Sequence, residues 1–169
     1  MIGKAVKYEM KDINTDLIIP ARYLTLADPD HLAKHCMEDL DDKFILNQKK
    51  FGYSIIVAGS NFGCGSSREQ APIALKATGI NCIIAPSFAR IFFRNAINIG
   101  LPIIEFENIE MINTNDDLEI KFTEGIIKNI STKSEYHINS IPSFLQEIIS
   151  ADGLINYARS KVLKETHKN

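Results

Sequence analysis

Between Ser54 and Phe106 the chain alternates short apolar runs with helical stretches, and that order points to a parallel sheet with right-handed crossovers. Ser54-Ile55-Ile56-Val57-Ala58-Gly59 is apolar, β-branched and stopped by glycine, the pattern of a buried strand. Glu69 to Thr78, with Ala71, Ile73, Ala74, Leu75 and Ala77, reads as a helix. Ile80 to Ala85 is the next strand. Pro86 and Ser87 are expected to cap a helix from Phe88 to about Asn98, which Gly100-Leu101-Pro102 stops before a third strand at Ile103-Ile104-Glu105-Phe106.

The flanking segments have a different texture. Gly3 to Met10 reads as an opening strand, followed by a polar turn from Lys11 to Asp16 and the short apolar Leu17-Ile18-Ile19 closed by Pro20. Ala21 to Ala27 fits neither helical nor strand period and is expected to be a loop. Asp28 as cap and Pro29 at the first turn open a helix running to about Leu40, and Phe44 to Phe51 fits either element type. Beyond Glu107, Leu118 to Phe122 alternates, Gly125 separates it from Ile126-Ile127-Lys128, and Lys133 to Ile138 adds a strand, which together suggest an antiparallel meander. Helices over Ser143–Ala151 and Leu154–Leu163 end the chain. The expectation is an α/β fold with a parallel core sheet and a smaller antiparallel part, in one domain over residues 1–169.

The segment between the Ser54 strand and the following helix, Asn61-Phe62-Gly63-Cys64-Gly65-Ser66-Ser67-Arg68-Glu69, carries the chemistry. Amides at a helix start are unpaired and partly positive, and a glycine-rich approach lets the backbone curl around an anion. Arg68 adds a guanidinium fork suited to a carboxylate or phosphate. A phosphate-binding P-loop would need a lysine before the hydroxyl residue, a dinucleotide fingerprint a third glycine, and a hydrolase elbow glycines on both sides of serine; all three are missing. Ser66 or Ser67 could instead merely cap the helix, with Glu69 completing a reciprocal cap three residues after Ser66.

A net charge of −2 gives no electrostatic case for nucleic acid, and no apolar run is long enough to span a membrane. The N-terminus lacks a signal peptide's apolar core, so a cytoplasmic address is expected. Lys161, Lys164, His167 and Lys168 form a small basic tail on the last helix. Cys36, Cys64 and Cys82 are odd in number and widely spaced, which argues against a disulfide framework and against a complete zinc or iron–sulfur site in this chain. Cys82 reads as a buried small hydrophobe. Cys64 could act as a nucleophile, but no base adjoins it.

Four segments together resemble the 3-isopropylmalate dehydratase small subunits, the swivelling domain of the aconitase superfamily. They are Asn14-Thr15-Asp16-Leu17-Ile18-Ile19-Pro20-Ala21-Arg22-Tyr23-Leu24, Gly63 to Glu69, Ala85 to Asn95, and Asn98 to Pro102, and they cover about the first two-thirds of the chain. The last third matches mainly in texture. The resemblance implies a β/β/α three-layer domain and a hydro-lyase that isomerises 2-isopropylmalate through an isopropylmaleate intermediate. It implies a partner large subunit carrying a 4Fe-4S cluster that acts as Lewis acid, and no cofactor in this chain. Ser66 would be the base, Arg68 would grip a substrate carboxylate, Ser67 would contact substrate or support the turn, and the backbone of Gly63, Cys64 and Gly65 would form the anion seat. Tyr23, Leu24, Thr25 and Leu26 correspond to the loop that chooses the substrate.

Homoaconitase small subunits place an arginine at the position of Thr25 here. Without that cation a third carboxylate would be desolvated and unpaired, at a cost on the order of several kcal/mol, so isopropylmalate is favoured over homocitrate. Methyl-substituted malates also suit an apolar loop. Two rivals belong to other classes. His31 and His35, four apart on a helix with Cys36 and Asp39 nearby, could be metal ligands, though two surface histidines are the simpler expectation. A scaffold module could use the turn only to hold an anion, with Arg90 and Arg94 facing a partner or solvent.

Overall fold

The computed structural model of the chain describes residues 1–166. Four strands, β1 (Ile2–Tyr8), β2 (Tyr53–Ala58), β3 (Cys82–Ala85) and β4 (Ile103–Glu105), pair in parallel. Three more, β5 (Asp117–Lys121), β6 (Ile126–Asn129) and β7 (Ser134–His137), pair antiparallel and join the sheet along β1. The result is one seven-stranded sheet in the order β4-β3-β2-β1-β5-β6-β7. The helices are α1 (Thr15–Ile18), α2 (Pro29–Lys34), α3 (Phe44–Phe51), α4 (Gln70–Ala77), α5 (Arg90–Asn98), α6 (Ser143–Ser150) and α7 (Leu154–Thr166).

Period-two alternation divides the parallel strands between two cores. Ile56, Ala58, Ile83 and Ala85 meet Leu32, Phe44, Leu75, Phe92 and Ile97 on the helical face. Ile55, Val57, Cys82 and Ile84 point the other way and are sealed by Leu118, Ile120 and Ile127 from the antiparallel strands. The sheet therefore curls back on itself, giving the expected β/β/α layering with a parallel centre. Burial on both faces explains why β2 and β3 read as unbroken apolar runs rather than alternating ones.

Tertiary contacts moved several boundaries. The helix that Asp28 caps, through a side-chain bond from the His31 amide at 2.8 Å, ends at Lys34 rather than near Leu40. Met37 adopts φ 63°, and its amide donates to the Ile18 carbonyl at 2.8 Å, which diverts the chain toward α1. The polar turn after β1 is shorter than expected, because Asn14 caps α1 by accepting the Leu17 amide at 3.0 Å. Ser87 does not cap α5: its Oγ accepts the Asn61 amide at 2.9 Å, and the helix starts at Arg90. Phe44 to Phe51 is a helix, stopped by Gly52. The 21–27 loop opens with a 3-10 turn at Ala21–Tyr23.

In the basic tail, Lys161 lies 3.0 Å from Glu147 Oε2 on α6, while His167 and Lys168 fall outside the described residues. No helix among the described residues is long and apolar enough to cross a membrane.

The antiparallel half is pinned by one buried polar pair. Asn129 Nδ2 donates to Asp116 Oδ2 at 2.7 Å, and its Oδ1 accepts the Thr132 amide at 3.1 Å. Asn129→Leu should cost about 2–3 kcal/mol in a urea melt, because it strands a buried acceptor. Lys128→Ala, on the exposed face and 3.6 Å from Glu135, should cost under about 1 kcal/mol. Equal losses would show that the pair is not what holds these strands.

Candidate active site

Three loops meet beyond the carboxyl ends of β1, β2 and β3, where ligands of open α/β sheets bind. The glycine-rich turn lies between the other two. On one side Gly63 N–H donates to the Ile13 carbonyl at 2.8 Å and Thr15 N–H to the Cys64 carbonyl at 2.8 Å. On the other, Phe62 N–H donates to the Ser87 carbonyl at 3.1 Å and Ala89 N–H to the Phe62 carbonyl at 3.0 Å. Asn61 Nδ2 ties the entrance to Asp12 Oδ1 at 2.7 Å.

Glycine is required at two points of this turn. Gly63 has φ 78°, and a Cβ there would stand 2.2 Å from Phe92 Cγ. Gly65 has φ 90°, but its Cβ would meet nothing closer than 3.4 Å, at Asn14 and Thr15. The turn then delivers Ser66, whose amide donates to the buried Thr15 hydroxyl at 3.1 Å.

Gly65, Ser66 and Ser67 are exposed. Neither serine hydroxyl has a hydrogen-bond partner among the described residues. The reciprocal cap weighed from the sequence does not form: Glu69 occupies the cap position with helical backbone and no side-chain bond. The amides of Ser67, Glu69 and Gln70 also find no acceptor among the described residues, so these partly positive donors are left open at the start of α4.

Arg68 is sheltered, with its side chain 15% exposed. Its Nη1 donates to Asp16 Oδ1 at 2.6 Å and to the Ile19 carbonyl at 3.2 Å. The Nε and Nη2 donors have no partner among the described residues. Arg68 is thus oriented by α1 with part of its fork still open.

The 22–27 loop starts three residues after that Ile19 carbonyl. Tyr23 does not join the turn; its ring stacks on His35 at 3.6 Å and 5°. Leu24 packs against the helix-side core, whereas Thr25 and Leu26 are exposed. His31 and His35 are half-buried and 5.2 Å apart, in contact with Tyr23, rather than the two surface histidines expected.

The three thiols do not converge. Cys36 and Cys82 are fully buried on opposite faces of the sheet. Among the described residues, no group of three His, Cys, Asp or Glu side chains is arranged to hold a metal. Burial first, and then the Asp12 carboxylate, pushes the Cys64 thiol up, which opposes the nucleophile reading. Arg90 and Arg94 are exposed on α5 and form no ion pair among the described residues.

The residues that sequence reasoning missed are Thr15, Asp16 and Phe92. The cap signal at Asn14 could have exposed the first two, since Asn before an apolar run marks a helix start. Nothing local marks Phe92, whose role depends on a glycine 29 positions earlier (92 less 63).

Comparisons with known proteins agree with this architecture. The family model for the aconitase C-terminal domain matches residues 3–109. A 3-isopropylmalate dehydratase small subunit from Ruminiclostridium cellulolyticum is 56% identical over 161 residues, 95% of this chain and 97% of its own. Its counterpart from Caldanaerobacter subterraneus is 56% identical over 163 residues, covering 96% and 99%. The crystal structure of 3-isopropylmalate dehydratase from Methanocaldococcus jannaschii is similar with a TM-score of 0.89 at 42% identity, over 100% of both chains.

Two outcomes follow from the turn's geometry. Gly63→Ala should destabilise by about 3 kcal/mol or more, combining left-handed strain with overlap on Phe92, and Gly65→Ala by only about 1–2 kcal/mol. Similar melting shifts for the two would refute the overlap argument. Alkylation of Cys64 should rise only at alkaline pH, and Asp12→Asn should move that rise to lower pH, since losing a neighbouring negative charge favours thiolate. An unmoved profile would mean Asp12 does not act on the thiol.

Proposed function

The chain belongs to the 3-isopropylmalate dehydratase small subunits of the aconitase C-terminal domain family, and on that premise we propose that it is the half of this hydro-lyase that supplies the base and the carboxylate clamp. With a large subunit it interconverts 2-isopropylmalate and 3-isopropylmalate through 2-isopropylmaleate, a step of leucine biosynthesis, in the cytoplasm. The whole chain acts as one swivelling unit. The observation that carries this reading is the exposed, unpartnered Ser66 hydroxyl beside an arginine whose fork is only partly engaged.

Each residue has a defined task. Arg68 Nε and Nη2 take a substrate carboxylate, while Asp16 and the Ile19 carbonyl fix the guanidinium plane. Ser66 removes the proton on the carbon next to that carboxylate. A serine hydroxyl ionises only if its charge is met by donors, and the amides of Ser67, Glu69 and Gln70 with Arg68 are those donors. Lewis-acid assistance to the departing hydroxyl would come from a 4Fe-4S cluster held by the large subunit. Because Ser66 is exposed here, the partner must also exclude water from it.

Substrate choice rests on the loop. Thr25 offers no cation to a third carboxylate, and neighbouring Arg22 is already engaged by Asp39 and Glu38. With Leu24 packed against the core, Leu26, 56% exposed, is the apolar contact for the isopropyl group. The same Leu26 would accept a methyl group, so citramalate-type or dimethylmalate substrates are the second reading.

In an anaerobically reconstituted complex, Ser66→Ala should cut formation of the absorbing 2-isopropylmaleate by about 10²–10⁴-fold while the two chains still co-elute. Turnover of homocitrate in preference to isopropylmalate would keep the chemistry and overturn the substrate. Failure on every malate derivative, with the cluster loaded, would leave the anion-binding scaffold.

A further inference from the structure

Beside the recognition loop lies a closed ring of contacts that the reaction itself does not use. Two groups contact the Tyr23 ring: His35 stacks on it at 3.6 Å, and the Arg22 guanidinium lies 4.8 Å from its ring centre. Arg22 Nη1 and Nη2 form a fork on Asp39 Oδ2 and Oδ1 at 2.8 and 2.6 Å, and Nη2 also reaches Glu38 Oε1 at 2.5 Å. Glu38 closes the circuit, because its Oε2 accepts from His35 Nδ1 at 2.9 Å. Burial would raise the Glu38 carboxyl, but its hydrogen-bonded neighbours, His35 and Arg22 among them, outweigh it and hold it below the ordinary range.

This ring is fastened to the candidate active site through backbone. The segment bearing Glu38 and Asp39 is tied at Met37, whose amide donates to the Ile18 carbonyl at 2.8 Å. The next carbonyl, Ile19, is the one that Arg68 holds. At the far end of the loop, Asp28 caps α2 and is fixed by the His31 amide. Only Leu24 to Ala27 lies between these anchors, with Thr25 and Leu26 projecting.

Fold stability does not account for the arrangement. Arg22 is 52% exposed, and exposed ion pairs contribute little even when well formed. A fork, a stack and a shared carboxylate do, however, restrict position closely, since each fixes a plane as well as a distance. We propose that the Tyr23–His35–Glu38–Arg22 ring is a clamp that sets the Thr25–Leu26 tip in its substrate-selecting pose before substrate arrives. Arg22, His35 and Glu38 are then positioning residues for recognition of the substrate's apolar substituent. The inference rests on the reading of this loop as the part that meets substrate. It makes the loop pre-formed, so that binding need not order it.

Two measurements test the clamp. In the free full-length chain, without substrate or partner, the His35 ring protons should show an upfield ring-current shift in NMR that Tyr23→Leu abolishes. In the reconstituted complex, His35→Ala and Arg22→Gln should raise KM for 2-isopropylmalate roughly tenfold with kcat within about twofold, as expected when a binding contact is displaced but the reacting groups are not. His35→Phe, which keeps a ring over Tyr23, should return KM most of the way. Absence of the shift in the wild-type chain, or an unchanged KM in His35→Ala, would overturn the clamp. A matching loss of kcat that His35→Phe does not rescue would also overturn it, as a general folding defect. If the wild-type complex processes no malate at all while the shift is present, it is the functional reading that falls, since the stacked ring has then been found without it.

Discussion

The candidate active site depends on the contact between Phe92 and the bare backbone of Gly63. Phe92 occupies the space in which any side chain at residue 63 would sit, so α5 and the turn approach one another as closely as main chain and ring allow. Phe62 packs edge-on to the same ring at 5.2 Å, and Phe88 lies parallel to it at 6.5 Å. This aromatic platform sits under the turn, and Phe62 joins the Ser87–Ala89 strip by two backbone bonds. Once the turn is seated, residues 13–15 pair with its other edge, and the Thr15 hydroxyl meets the Ser66 amide. The geometry of the candidate site therefore starts with a missing Cβ rather than with any charged group.

What stands on that platform is open on one side. Gly65, Ser66 and Ser67 face solvent, yet their supports, Phe62, Gly63 and Thr15, are buried. A supported backbone with an open top suits a chain that meets a second one, because the main chain carrying the Ser66 hydroxyl is held at its amide by Thr15 before any partner arrives. Asp16 contributes to the same arrangement: it pairs with Arg68 Nη1 and leaves Nε and Nη2 without a partner among the described residues.

The sheet and the turn were both legible in the sequence, for physical reasons that act locally. Strands buried on two faces must be apolar throughout, and Ile55 to Val57 and Cys82 to Ile84 say so without help from neighbours. The turn was visible because glycines, hydroxyls and arginine at a strand–helix junction have few other uses. Illegible features depend on residues distant along the chain. The short α2 follows from Met37 bonding Ile18, and Ser87 is diverted from capping by Asn61, 26 positions away. Thr15 acts on Ser66 across 51 positions. The histidines were misplaced for the same reason: their spacing suggested an exposed helix face, but Tyr23 covers it.

Two arginines with the same chemistry end in opposite states, and the difference bears on specificity. Arg68 has one nitrogen engaged and the rest of its fork available, whereas Arg22 has both terminal nitrogens committed to two carboxylates. A substrate carboxylate approaching Arg68 adds a partner to an under-used donor set. One approaching Arg22 must displace Asp39 or Glu38, whose own carboxyls are held low, Asp39 chiefly by its bond to Arg22. Displacement exchanges one charge-assisted pair for another and gains little. On the proposed reading, rejection of a third carboxylate would have two sources in this loop, the lack of a cation at Thr25 and the prior engagement of Arg22. Arg22 does both on that reading: it helps to position the loop and, being engaged by Asp39 and Glu38, offers no free cation to a third carboxylate.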